Sequence, residues 1–142
     1  MQEDAAGILA STAYVEELVA AEVAAGVPRS RIVVAGFSQG GAIALTAGLR
    51  AREPLAGVVA LSTWLPLAAD YPASLGAGAA GAQVFMAHGT QDMVVKTAFG
   101  VRSQEALTKL GCRVDFQLYR MAHSAVPEEL AAAAQWLAAR LP

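Results

Sequence analysis

The sequence predicts an α/β fold: a mostly parallel sheet of about four strands with helices on both faces. Three observations predict it. Short, continuously apolar, β-branched runs recur along the 142 residues, and such runs suit strands covered on both sides. Longer stretches of helical spacing separate them, and strands alternating with helices build parallel sheets through crossover connections. Glycines and prolines stand at the joints.

Each element follows in order. Residues 4–25 read as a helix, with Ile8, Tyr14 or Val15, Leu18, Val19 and Val23 roughly on one stripe and Glu16, Glu17 and Glu22 elsewhere. Gly26 sits where that helix stops, and Pro28 follows. Residues 32–36 (Ile-Val-Val-Ala-Gly) read as the first strand, 39–52 as a helix, and 57–61 (Gly-Val-Val-Ala-Leu) as the second strand. Residues 62–82, rich in Gly, Ala and Pro, read as a long loop with room for one short helix. Residues 83–87 form the third strand, and 96–110 a helix that stops at Gly111. Residues 113–119 alternate like a strand at a sheet edge. The last helix, 127–141, has Pro127 in its first turn, and Glu128 and Glu129 complement its dipole. No tandem repeat or linker interrupts the pattern, so residues 1–142 are expected to form one domain.

Composition narrows the function. A hydrophobic fraction of 56% against 15% charged residues excludes intrinsic disorder. The 33 alanines inflate that fraction, but the larger apolar side chains left still suffice for a core. A net charge of −2 and no basic stripe argue against a nucleic-acid partner. The lone cysteine, Cys112, excludes an intramolecular disulfide and a two-cysteine metal site. No apolar run is long enough for a transmembrane helix, so no stable membrane insertion is expected. Glu3 and Asp4 stand where a signal peptide would be basic, so a cytoplasmic protein is the default expectation.

The chemistry concentrates at Gly36-Phe37-Ser38-Gln39-Gly40-Gly41. This Gly-x-Ser-x-Gly pattern lies between an expected strand and an expected helix, the setting a nucleophile elbow needs. A sharp strand-to-helix turn would strain Ser38 and expose its Oγ. Gly36 and Gly40 would leave room where side chains meet neighbouring backbone, and Gly41 would let the helix approach the sheet. The Gln39 N–H, at the helix N-terminus, would face a developing oxyanion. The plainer alternative is a glycine-rich turn carrying a surface serine; the placement favours the elbow.

A serine hydroxyl needs a base, and only His88 and His123 are available. The order Ser, acid, His makes His123 the base and Asp92 the residue that sets its tautomer. All three would stand at the carboxyl ends of parallel strands, where open α/β sheets place their sites. His88 precedes the acid and reads as a structural histidine with a local hydrogen bond. Asp92 alone could be a turn residue. Asp115, inside a strand, and Asp70, in the long loop, are worse-placed rivals.

With these motifs assembled, the chain resembles the carboxylesterase/phospholipase family of α/β-hydrolases, which includes acyl-protein thioesterases and small bacterial carboxylesterases. The resemblance is carried by Phe37-Ser38-Gln39-Gly40-Gly41, by His88-Gly89-Thr90-Gln91-Asp92-Met93-Val94-Val95 and by Met121-Ala122-His123-Ser124. Supporting stretches are Glu3-Asp4-Ala5-Ala6-Gly7-Ile8, Pro28-Arg29-Ser30-Arg31-Ile32, Leu61-Ser62-Thr63-Trp64-Leu65-Pro66 and Pro127-Glu128-Glu129. It implies a Ser38–Asp92–His123 triad that hydrolyses short- to medium-chain acyl esters or thioesters without a cofactor or metal. It also implies that Phe37, Trp64, Leu65 and Met121 line the substrate site. Taken alone, Trp64 and Leu65 read more readily as core.

The chain departs from the family at two places. Ala122 stands where the family usually has glycine. The family's front part, with the first strands and a Leu-His-Gly-type loop bearing a second oxyanion donor, has no counterpart before Gln2, by resemblance. The fold expected is therefore a truncated α/β-hydrolase. Loss of one such donor costs about 10²–10³ in rate, so a monomer is expected to be a weak esterase, with small soluble esters favoured as substrates. The strand at 32–36 would be left as a bare apolar edge, and a homodimer or larger homo-oligomer is expected to cover it. The alternatives are a non-catalytic or partner-dependent remnant or subunit of an α/β-hydrolase and, by the resemblance, acyl-protein thioesterase or lysophospholipase activity.

Overall fold

The computed structural model describes residues 2–142; Met1 lies outside the described residues. The element order is α1 (Ala5–Ala24), β1 (Val33–Phe37), α2 (Gln39–Arg50), β2 (Gly57–Leu61), β3 (Gln83–Gly89), α3 (Thr97–Lys109), β4 (Arg113–Tyr119) and α4 (Pro127–Arg140). The four strands form one sheet in the order β1-β2-β3-β4, parallel throughout. Parallel neighbours need crossover connections, and the chain supplies α2 between β1 and β2 and α3 between β3 and β4. The 62–82 stretch carries two short 3₁₀ turns, at Ala68–Asp70 and Ala77–Ala79.

The pleat sorts side chains between two layers. Val58, Ala60, Val84 and Met86 turn to one face, where Leu45 and Leu49 of α2 and Leu107 of α3 cover them. Val59, Phe85 and Ala87 turn to the other and meet Ala133 and Trp136 of α4. The Trp136 ring lies 6.0 Å from that of Phe85. Helices thus stand on both faces, as expected, but unequally: among the described residues α4 alone covers its side.

The helix ends obey local chemistry. The Asp4 carboxylate accepts the Gly7 N–H at 3.0 Å and caps α1. Both α1 and α3 end in Schellman motifs. In α1, Gly26 N–H donates to Val23 C=O and Val27 N–H to Glu22 C=O, each at 3.0 Å. The same pair of bonds closes α3 around Gly111.

Two expectations need correcting. The first strand begins and ends one residue later than 32–36, because Gly36 and Phe37 still pair with Ala60 and Leu61. The stripe expected on α1 is its buried face only in part. Ile8 and Val19 are buried and Val15 is half-buried, with Thr12 joining them, while Tyr14, Leu18 and Val23 are 61%, 51% and 41% exposed. The reason is tertiary: α1 packs on α2, and Tyr14 and Leu18 lie on the side turned to solvent.

Candidate active site

Ser38 sits between the end of β1 and the first residue of α2. Its backbone has φ +55° and ψ −123°, a left-side conformation that L-residues avoid. Three contacts hold it there. Its N–H donates to Leu61 C=O at 2.8 Å, and its C=O accepts the Thr63 hydroxyl at 2.6 Å. Third, α2 closes tightly on the strand: a Cβ at Gly36 would strike the Gly40 carbonyl, and one at Gly41 would lie 2.8 Å from the Thr63 side chain. Gly40 differs from expectation, because a Cβ there would meet nothing within 4 Å. The constraint lies at Gly36 and Gly41, and Gly40 faces an open groove.

His123 reaches Ser38 from the loop after β4. Its Nε2 lies 3.0 Å from Ser38 Oγ, and its Nδ1 lies 2.7 Å from Asp92 Oδ2. The Phe37 ring stands 4.8 Å from the imidazole, centroid to centroid. Asp92 follows β3, with its carboxylate out of solvent. Its Oδ1 accepts the N–H groups of Val94 and Val95, each at 2.9 Å. Burial raises the pKa of this carboxyl. The His123 hydrogen bond, the Val95 and Val94 N–H groups and the imidazole charge outweigh burial, and the net pKa is below the usual carboxylate value. An ionised Asp92 has no proton to donate, so it accepts a hydrogen bond from Nδ1–H, which leaves the Nε2 lone pair facing the serine hydroxyl.

His88 stands behind that line, its Nε2 3.5 Å from Asp92 Oδ2. It is fully buried, and its Nε2–H donates to Val95 C=O at 2.8 Å. It therefore braces the turn that carries Asp92. Asp115 accepts from Gln117 and Asp70 from Arg50, both in exposed pairs away from the histidines.

The expected substrate residues are placed differently from one another. Phe37 is exposed beside His123. Trp64 lines two adjoining cavities, of about 330 and about 510 Å³, and Leu65 lines the smaller. Gln39 and Gly40 line the larger, which comes up to the residue after Ser38, while Ser38 and His123 line neither of the two. As the first residue of α2, Gln39 has an N–H without an intrahelical partner. Met121 is 5% exposed and lines neither cavity; its C=O accepts the Gln91 N–H at 3.0 Å and ties the His123 loop to the Asp92 turn. Two supports were not read from sequence: the Thr63 hydroxyl under Ser38 and the paired N–H groups under Asp92.

The model of the phospholipase/carboxylesterase family matches residues 1–141. The chain belongs to this family. It is 43% identical over 143 residues to acyl-protein thioesterase 1 of Neurospora crassa, covering 99% of the chain and 58% of that relative. It is 43% identical over 153 residues to acyl-protein thioesterase 1 of Mycosarcoma maydis, covering 99% and 64%. The chain thus spans roughly three-fifths of the length of these curated relatives. Among solved structures, Arabidopsis thaliana SOBER1 superposes with a TM-score of 0.94 at 27% identity, covering 99% of the chain and 68% of that structure. Zea mays acyl-protein thioesterase 2 superposes with 0.84 at 30% identity and the same coverage. The sheet and helices of this family member are those of an α/β-hydrolase fold.

Proposed function

We propose that the protein is a serine carboxylesterase acting on short- to medium-chain acyl esters, thioesters included. The observation that carries this reading is the unbroken line Asp92–His123–Ser38, with contacts of 2.7 and 3.0 Å and the serine on a strained elbow. The relatives named acyl-protein thioesterase support an acyl substrate.

The geometry performs the reaction in two halves. Ser38 Oγ attacks the carbonyl carbon while His123 Nε2 takes its proton. Ionised Asp92 stabilises the imidazolium. The carbonyl oxygen becomes an oxyanion and accepts the Gln39 N–H. The intermediate collapses as Nε2–H protonates the departing alcohol or thiol, leaving an acyl group on Ser38. Water then attacks that acyl group with His123 again as base. The acid departs and Oγ regains its proton.

Hydrolysis of p-nitrophenyl acetate and butyrate by the chain, beside Ser38→Ala, tests the reading. Activity that vanishes in the variant supports it. A folded wild type no faster than the variant sinks it. Fluorophosphonate labelling of Ser38 reports the nucleophile separately from turnover. A second reading, a subunit whose activity depends on a partner, is favoured by one observation: β1 stands at the edge of the sheet with one side unpaired.

A further inference from the structure

We propose that His88 is a positioning residue for the Asp92–His123 pair. Protonated at Nε2 alone, it closes the turn that carries Asp92 and sets its one N–H dipole beside the carboxylate oxygen that His123 uses. The inference deepens the esterase reading, and only its kinetic arm rests on that reading.

His88 lies in β3, paired with Leu118 of β4, and is fully buried. The turn at 90–96 leaves the sheet just beyond it and returns to α3. Two side chains lace the mouth of that turn. The Thr97 hydroxyl donates to Gly89 C=O at 2.6 Å, and His88 Nε2 lies 2.8 Å from Val95 C=O. Val95 also gives its N–H to Asp92 Oδ1. One residue thus takes the His88 bond on its C=O and holds the catalytic carboxylate with its N–H. The other carboxylate oxygen, Oδ2, stands between two imidazoles, with His123 Nδ1 at 2.7 Å and His88 Nε2 at 3.5 Å. The longer distance is not a hydrogen bond. It still puts the positive end of an N–H dipole beside a buried anion, where the low local dielectric strengthens the contact.

The tautomer follows from the surroundings. Nε2 faces two acceptors, Val95 C=O and Asp92 Oδ2, so it carries the proton. Nδ1 has no partner, and α3 passes so close that a Cβ at Gly100 would lie 2.5 Å from it. A buried nitrogen without a partner costs free energy that an apolar side chain of similar size would not. Packing alone therefore gives no reason for an imidazole at this position, whereas the Val95 bond and the Asp92 contact do. Gly100 belongs to the same device, since the ring fits only where α3 carries no side chain.

Imidazole nitrogen NMR spectra of the unmodified chain at neutral pH test the tautomer without a variant. His88 should carry its proton on Nε2 and none on Nδ1. A ring protonated at Nδ1, alone or together with Nε2, overturns the proposal. The downfield proton resonance of the His123–Asp92 bond, identified by its loss in His123→Gln, gives a second readout that needs no turnover. His88→Leu should shift or broaden it in protein that stays folded by circular dichroism. His88→Gln, whose side-chain amide can donate to Val95 C=O, should restore it. An unchanged resonance in folded His88→Leu overturns the proposal. In p-nitrophenyl butyrate hydrolysis, His88→Leu should lower kcat about 10–100-fold with KM unchanged. Made on top of Asp92→Asn, the same substitution should cost no more than about twofold, because His88 acts through that carboxylate. Equal losses in both backgrounds mean a general packing defect and overturn the proposal. A chain without esterase activity sinks the esterase reading, and the two resonance measurements still decide the role of His88.

Discussion

Asp92 combines burial with ionisation, and its environment makes two measurable demands. Its carboxylate sets the His123 tautomer through a 2.7 Å contact. Asp92→Asn keeps the shape but favours the wrong imidazole tautomer, and kcat should fall on the order of 10⁴-fold while the fold survives. The lowered pKa also ties Asp92 to acid stability. Because the folded group ionises more readily than the unfolded one, its contribution is complete above the ordinary value of 3.8 and is lost as pH falls through the folded pKa. The stability gap between wild type and Asp92→Asn, followed by thermal unfolding, should therefore narrow below that pH. Glu129 runs the other way. It is fully buried in the first turn of α4 without a well-formed hydrogen bond to either oxygen. Burial raises its pKa, and the nearby Val126 N–H offsets only part of that. Above the ordinary 4.5, ionisation then favours the unfolded chain. Glu129→Gln should stabilise the protein at pH 7 by about 1 kcal/mol, a shift of a few degrees in Tm. The gain should fade as pH drops toward 4.5.

The β1–α2 elbow is the element on which the site depends. Its strain at Ser38 is held by Leu61, by Thr63 and by the close approach of Gly36 to the Gly40 carbonyl. A methyl group at position 36 meets backbone, which cannot swing aside. Gly36→Ala should cost about 2 kcal/mol or more in urea unfolding and displace Ser38 Oγ from His123. Gly40→Ala serves as the control, since its Cβ meets open space; little stability should be lost. The elbow was legible in the sequence because Gly-x-Ser-x-Gly stood at a strand-to-helix joint. The difference between Gly36 and Gly40 was not legible, because it depends on which backbone passes nearby. The Asp92 turn shows the same division. Chain order selected Asp92 and His123, while the N–H pair and the His88 brace required the folded turn.

The whole molecule is a sheet with unequal cover. α2 and α3 bury one face against a large cluster, and α4 alone closes the other through Trp136, Phe85 and Ala133. Trp136→Ala should therefore cost about 3–5 kcal/mol in denaturant unfolding, because no other helix can fill the space. The sheet also ends in unlike edges, charged at β4 and bare at β1.

By itself the sequence determined the order of helices and strands, the helix stops at Gly26 and Gly111, and the three residues that meet at the site. These are local or ordered along the chain: periodicity, caps and the succession Ser, acid, His. Tertiary structure alone decided that Tyr14 and Leu18 face outward, that Gly40 opens on a groove, that Met121 is buried away from the two cavities, and that Thr63 supports the elbow. Each of these depends on which distant segment lies against a given atom, and residue spacing carries no record of that neighbour.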